Sequence, residues 1–122
     1  MSSEVLESFQ KALLKFEEAL NAEKTELNRD AAIQRFEFSY ELMWKSIKKE
    51  LNSLGLVCNS PKACFKEAFS QGWIQEETPW INMLSDRNLT THTYDEELAQ
   101  KVYKALPQYH QLMSEMLITL RS

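Results

Sequence analysis

Arg29-Asp30-Ala31-Ala32-Ile33-Gln34-Arg35-Phe36-Glu37-Phe38-Ser39-Tyr40-Glu41-Leu42-Met43-Trp44-Lys45-Ser46-Ile47-Lys48-Lys49-Glu50-Leu51-Asn52-Ser53-Leu54 decides the fold class. Ile33, Phe36, Tyr40, Met43, Ile47, Leu51 and Leu54 recur at three and four residues, the spacing of one helix face. Phe38, Leu42 and Trp44 add apolar surface beside that stripe. A helix apolar over so wide an arc touches more than one neighbour, so it lies at the centre of a bundle or at a dimer interface. Gly55 supplies the stop, because glycine readily takes the left-handed conformation that ends helices. Phe36, Phe38, Tyr40 and Trp44 suggest an aromatic box for a ligand, but their helical spacing favours core packing.

The flanking segments repeat the helical pattern. Val5, Phe9, Leu13, Phe16 and Leu20 predict a helix from about Glu4 to Leu20. Asn21 through Asn28 is polar and reads as the connection to the next helix, from about Arg29 to Leu54. Ser60-Pro61 opens a third helix, since Ser caps free amides and Pro is tolerated in the first turn. Its apolar face is Ala63, Phe65, Ala68 and Phe69; Gln71-Gly72 ends it, and Trp73 and Ile74 plug the core from the loop. Thr78-Pro79 repeats the opening signal for a fourth helix, with Trp80, Ile81 and Leu84 facing inward. Thr93-Tyr94-Asp95-Glu96 fits a capping box for a fifth, carrying Leu98, Val102, Leu106, Tyr109, Met113, Met116 and Leu120. Pro107 is expected to kink or split that helix. The expectation is an all-α, up-and-down four-helix-bundle-like fold with an additional short helix, forming a single domain over residues 1–122.

Composition agrees. Hydrophobic residues make up 43% and charged residues 26%, a globular balance, and two Gly and three Pro are too few for an all-β fold. No apolar run is long enough to cross a bilayer, and Met1-Ser2-Ser3-Glu4 does not read as a signal peptide. A cytoplasmic location with no membrane contact is the expectation. The net charge of −4 argues against nucleic-acid binding by charge alone, so any such contact is local or shared with another chain. Cys58 and Cys64 match no zinc spacing; two free thiols are expected, with a disulfide as the alternative.

Chemistry concentrates in Asp86-Arg87-Asn88-Leu89-Thr90-Thr91-His92-Thr93-Tyr94. On an unbroken helix Arg87 and His92 would point roughly 140° apart. They share a site only if the chain breaks between them, or if a second copy supplies the other half. The capping signals predict a break around Asn88 to Thr93, with Asn88 in a left-handed cap. A neutral His moves protons near pH 7, and an always-charged Arg holds phosphate and offsets developing charge. Together they suit phosphodiester cleavage by a ribose 2′-hydroxyl, with no metal or cofactor required. Asp95, Glu96 and Glu97 oppose this by placing negative charge nearby. The bland alternative pairs Arg87 with Asp86 or Glu96, makes His92 a loop residue and lays Tyr94 against the core. His110, on the periodic fifth helix, is read as structural.

Arg87-Asn88-Leu89-Thr90-Thr91-His92-Thr93-Tyr94 is an R-x4-H-x-Y motif, and it resembles the signature of the HEPN superfamily. The likeness is to the small helical nucleotidyltransferase substrate-binding proteins in particular. Arg35 through Lys45 is similar to the family's second-helix block; Ser60-Pro61-Lys62, Ala68-Phe69 and Trp80 through Leu84 match as well. The resemblance implies an HEPN-type bundle that forms a homodimer and assembles with a cognate minimal nucleotidyltransferase. It implies Arg87 and His92 as a catalytic pair, Asn88 as a polar helper and a composite RNA cleft between two copies. It implies a metal-independent ribonuclease in a toxin–antitoxin-like module, with Tyr94 as the tyrosine that the partner adenylylates. The family's older name implies a different role, a non-catalytic subunit binding a nucleotide or other substrate. A purely structural partner, docking the transferase through the wide second-helix face, is a third.

Overall fold

The computed structural model describes residues 3–122, and the described residues form five α-helices and one 3₁₀ turn. The helices are α1 (Glu4–Asn21), α2 (Glu26–Ser53), α3 (Pro61–Ser70), α4 (Glu77–Leu89) and α5 (Glu96–Arg121), with the 3₁₀ turn at Thr90–His92 between the last two. The fold is the expected all-α, four-helix-bundle-like one. Helix α2 packs on α1, α5 and α3, and α4 joins through α3 and α5. Its central position follows from its wide apolar arc, which no single neighbour can cover.

Phe36 is the centre of the core. It is fully buried, stacks on Tyr109 at 5.5 Å between centroids, and meets Phe16 and Tyr40, each at 6.1 Å. Phe36 and Tyr40 are therefore packing residues, while Phe38 is half exposed. Ser39 and Ser46 are buried on the same helix without polar cost, because each hydroxyl donates 2.8 Å back to a carbonyl four residues earlier. His110 is structural as read: its Nε2 lies 3.2 Å from the Leu13 carbonyl, and its ring meets Phe16 edge-on.

Helix ends follow local chemistry. Ser3, Thr25 and Ser60 cap α1, α2 and α3 by accepting amide hydrogen bonds. Gly55 and Gly72 both take φ +81°, and the amides after them reach back to Leu51 and Ala68. Trp73 and Ile74 then turn inward, Ile74 buried and Trp73 partly so.

Several expectations are corrected. Cys58 and Cys64 are a disulfide, not two free thiols: the Ser60-Pro61 turn returns the chain so that their Cα atoms stand 5.1 Å apart. Helix α4 begins at Glu77, so Thr78-Pro79 occupies its first turn, and Glu76 precedes it without a side-chain cap. Ile81 and Phe69 point to solvent, and Ala63 is exposed; Met83 and Cys64 take the inward positions instead. Pro107 neither splits nor ends α5. It sits on the exposed side, where water can reach the carbonyl that loses its amide partner.

The capping box at Thr93 does not form. Asp95 caps α5 instead, accepting from the Glu97 and Leu98 amides, since a carboxylate is the stronger cap and Thr93 is occupied with the Thr90 carbonyl. Glu96 is drawn away to Arg29, whose buried guanidinium donates to it at 2.6 Å and to Asp30. The hydrogen bond from Arg29, then one from Gln100, holds the Glu96 carboxyl below its ordinary range. Because the folded pKa is lowered, this contribution to stability is present above the ordinary carboxylate range and is lost as pH falls through the folded value. Glu96→Gln should therefore flatten the acid limb of a urea-midpoint-against-pH curve; an unchanged limb would assign that limb to other carboxylates.

Candidate functional site

The motif residues sit where α4 gives way to α5. Helix α4 runs through Asn88 to Leu89, then tightens into the 3₁₀ turn that ends at His92. The break is thus a change of helical pitch, not a left-handed cap. Among the described residues no non-glycine has positive φ, so Asn88 remains helical, its carbonyl accepting from Thr91 at 3.3 Å. Hydroxyls close the turn: Thr90 donates to the Arg87 carbonyl at 2.6 Å, and Thr93 to the Thr90 carbonyl at 3.0 Å.

Asp86 anchors the end of α4. It is buried, and Tyr109 on α5 donates a 2.5 Å hydrogen bond to its carboxylate, with Lys101 Nζ 3.9 Å away. Burial first, then the bond to Asp86, pushes the Tyr109 hydroxyl pKa up, so it stays a donor. This latch ties α4 to α5 immediately before Arg87.

Arg87 is three-quarters buried, and its guanidinium is engaged within the chain. Nη1 donates to the Thr90 hydroxyl at 3.1 Å and lies 3.9 Å from the Glu37 carboxylate on α2. Burial raises the Glu37 pKa, and the charge of Arg87 pulls it back. Arg87 Nε is buried with no hydrogen-bond partner among the described residues. Neither Asp86 nor Glu96 takes Arg87, as the bland reading had it; their partners are Tyr109 and Arg29.

His92 and Tyr94 form a separate pair. Both are exposed, Tyr94 to 85%, so it does not lie against the core. His92 Nδ1 and the Tyr94 hydroxyl are 3.2 Å apart, and the rings meet edge-on at 5.8 Å. Among the described residues the ring's Nε2 has no partner. The structure brings His92 to Tyr94 and Arg87 to Glu37 and Thr90, and no hydrogen bond joins the two sets among the described residues. Sequence reasoning assigns no site role to Glu37, Thr90 or Tyr109; only the placement of Thr90, three residues after Arg87, offers a signal. Among the described residues no three His, Cys, Asp or Glu side chains converge as a metal ion would require. Among the same residues no helix is long and apolar enough to cross a membrane.

Comparison with known proteins places this geometry in a family. A Haemophilus influenzae protein named probable ribonuclease HepT is 36% identical over 83 residues, 64% of this chain. The match spans only 57% of that relative's length. A crystal structure from Thermus thermophilus superposes with a TM-score of 0.89 at 38% identity, covering 93% of this chain and 99% of the other. A Haemophilus influenzae structure described as the substrate-binding domain of a nucleotidyltransferase superposes at 0.84 with 27% identity, covering 96% and 99%. The model of one family, nucleotidyltransferase substrate binding protein like, matches residues 4–122. With nearly every described residue inside that match, the chain belongs to the nucleotidyltransferase substrate binding protein like family.

Proposed function

We propose that this chain is a metal-independent ribonuclease that works as a homodimer with a small nucleotidyltransferase, in a cytoplasmic toxin–antitoxin-like module. The observation that carries the reading is the state of His92. Its Nδ1 is engaged by Tyr94, which orients the ring, and its Nε2 is left open for proton transfer. In the reaction a ribose 2′-hydroxyl loses its proton to His92 and attacks the adjacent phosphorus. The phosphorus–O5′ bond breaks, and the departing O5′ takes a proton from the imidazolium of His92, which returns to its neutral form. Arg87 offsets the charge gathering on the phosphoryl oxygens, and Asn88, exposed on the same turn, is the polar helper. Among the described residues no hydrogen bond joins Arg87 to His92, and in this reading two copies meet around the RNA.

Tyr94 is the proposed adenylylation acceptor. Its exposed hydroxyl is open to a partner enzyme, and an AMP group on it would break the bond to His92 and put a phosphate beside that ring. Incubation with the cognate transferase and ATP should add the mass of one adenylyl group to the wild-type chain and none to Tyr94→Phe. An adduct retained in Tyr94→Phe would remove Tyr94 from the scheme.

A non-catalytic, nucleotide-binding subunit of the transferase is the second reading. It is favoured by one observation: the guanidinium of Arg87 is already occupied by Thr90 and Glu37. RNA cleavage by the purified chain in EDTA distinguishes the two. Cleavage supports the ribonuclease, while an inert, folded dimer that binds nucleotide supports the subunit.

A further inference from the structure

A groove of about 460 Å³ lies between α1 and α2, lined by Lys11 and Lys15 from α1 and by Arg35, Phe38 and Leu42 from α2. Lys11 and Lys15 stand one turn apart, and Arg35, Phe38 and Leu42 succeed one another along a different face of α2 from Glu37. No carboxylate lines the groove. Among the described residues none of its three cations forms an ion pair; the nearby α2 carboxylates are committed elsewhere, Glu37 to Arg87 and Glu41 to Lys45. In a chain of net charge −4, a groove lined by three cations and no carboxylate is a local exception to the overall balance. Phe38 stands among them with half its surface in water, although it is a large apolar side chain on the central helix.

We propose that this groove is a binding site for single-stranded nucleic acid, separate from the Arg87–His92 site. Lys11, Lys15 and Arg35 hold successive backbone phosphates, and Phe38 offers its ring face to a base. The pattern of cations beside an exposed aromatic is the one that single strands use, because every base can stack and every linkage carries a charge. Arg35 is the partly buried member of the set, and Lys11 and Lys15 are exposed. The groove's volume falls in the range that takes a nucleotide-sized ligand. Because the site lies on α1 and α2, it does not depend on the cleavage reading.

The test is fluorescence anisotropy with a labelled oligothymidylate, which lacks the 2′-hydroxyl and so reports binding without cleavage. The wild-type dissociation constant is compared with those of Lys11→Glu/Lys15→Glu/Arg35→Glu and of Phe38→Ala, all three proteins checked for fold by circular dichroism. The charge-reversed variant should bind at least about ten-fold more weakly, with the slope of log K against log salt reduced by about 2, as loss of three phosphate contacts to a single strand requires. Phe38→Ala should lose roughly ten-fold with its salt slope unchanged, as loss of one stacked base does. Wild-type-like binding by the charge-reversed variant overturns the proposal. So does weakening by charge reversal alone with Phe38→Ala unaffected and poly-glutamate competing equally well, since that pattern describes a general anion patch. A wild-type chain that fails to bind the oligonucleotide at low salt also overturns it. Loss of cleavage in His92→Ala with oligothymidylate binding intact would leave both proposals standing. Absence of cleavage with binding intact would remove the ribonuclease alone.

Discussion

Replacing His92 by Ala should lower RNA cleavage by about 10²–10⁴-fold, the usual contribution of a positioned general acid or base. The fold should not change. His92 is exposed, its ring's one hydrogen-bond contact among the described residues is with Tyr94, and surface substitutions of that kind shift stability by no more than about 0.5 kcal/mol. Arg87→Ala should lower cleavage by about 10²–10³-fold through loss of charge stabilisation at the phosphoryl group. The double variant should fall little below the worse single one, because groups acting on one step are not additive. The readout is the rate of cleavage of a labelled RNA in EDTA, with near-ultraviolet circular dichroism on each protein. Wild-type cleavage by a folded His92→Ala protein would remove His92 from the reaction. Equal loss in His92→Ala and in Tyr94→Phe, before any modification, would mean that the orienting bond from Tyr94 matters as much as the imidazole itself.

Phe36→Ala should cost about 3–5 kcal/mol of folding stability, the range for truncating a fully buried aromatic. Against a total of about 5–15 kcal/mol for a typical domain, that is a large fraction. The size follows from position. Phe36 lies at the meeting of α1, α2 and α5, in ring contact with Phe16, Tyr40 and Tyr109, and the surrounding rings cannot collapse into the space it leaves. Loss of Phe36 also loosens Tyr109, the residue that holds Asp86 and hence the end of α4. Urea denaturation should show a lower midpoint with little change in slope. Phe38→Ala, two residues away on an exposed face, should move the midpoint hardly at all. A loss at Phe36 comparable to that at Phe38 would mean that the core is centred elsewhere.

The contrast between these two phenylalanines marks the limit of what periodicity shows. Both lie in one apolar helix, and both suit an aromatic box by residue type. Phe36 falls on the i, i+4, i+7 series with Tyr40 and Met43 and is buried with them; Phe38 falls outside it and faces the α1–α2 groove. The number of helices, their order and the central place of α2 are all legible in the sequence, because helical burial repeats along the chain. Disulfide pairing is not: Cys58 and Cys64 are joined because a turn brings their backbones together, and residue spacing alone carries no such distance. The start of α5 departs from the capping-box expectation because two caps compete. Thr93 and Asp95 are both good N-cap residues; the choice falls to Asp95 once Thr93 bonds to Thr90 and Arg29 draws Glu96 away from a reciprocal cap.

By itself the sequence determined the all-helical bundle, the family resemblance and the short segment where Arg87, His92 and Tyr94 gather. Those follow from periodicity and from residue types at fixed spacing, which need no partner from elsewhere in the chain. Only the tertiary structure decided what each of these side chains touches. Arg87 meets Glu37 from a helix some fifty residues earlier, Asp86 is latched by Tyr109, and His92 turns to Tyr94 rather than to Arg87. These pairings depend on how α2, α4 and α5 pack and on which buried polar groups must find partners. That is a property of the assembled core, so it appears only when the helices are in place.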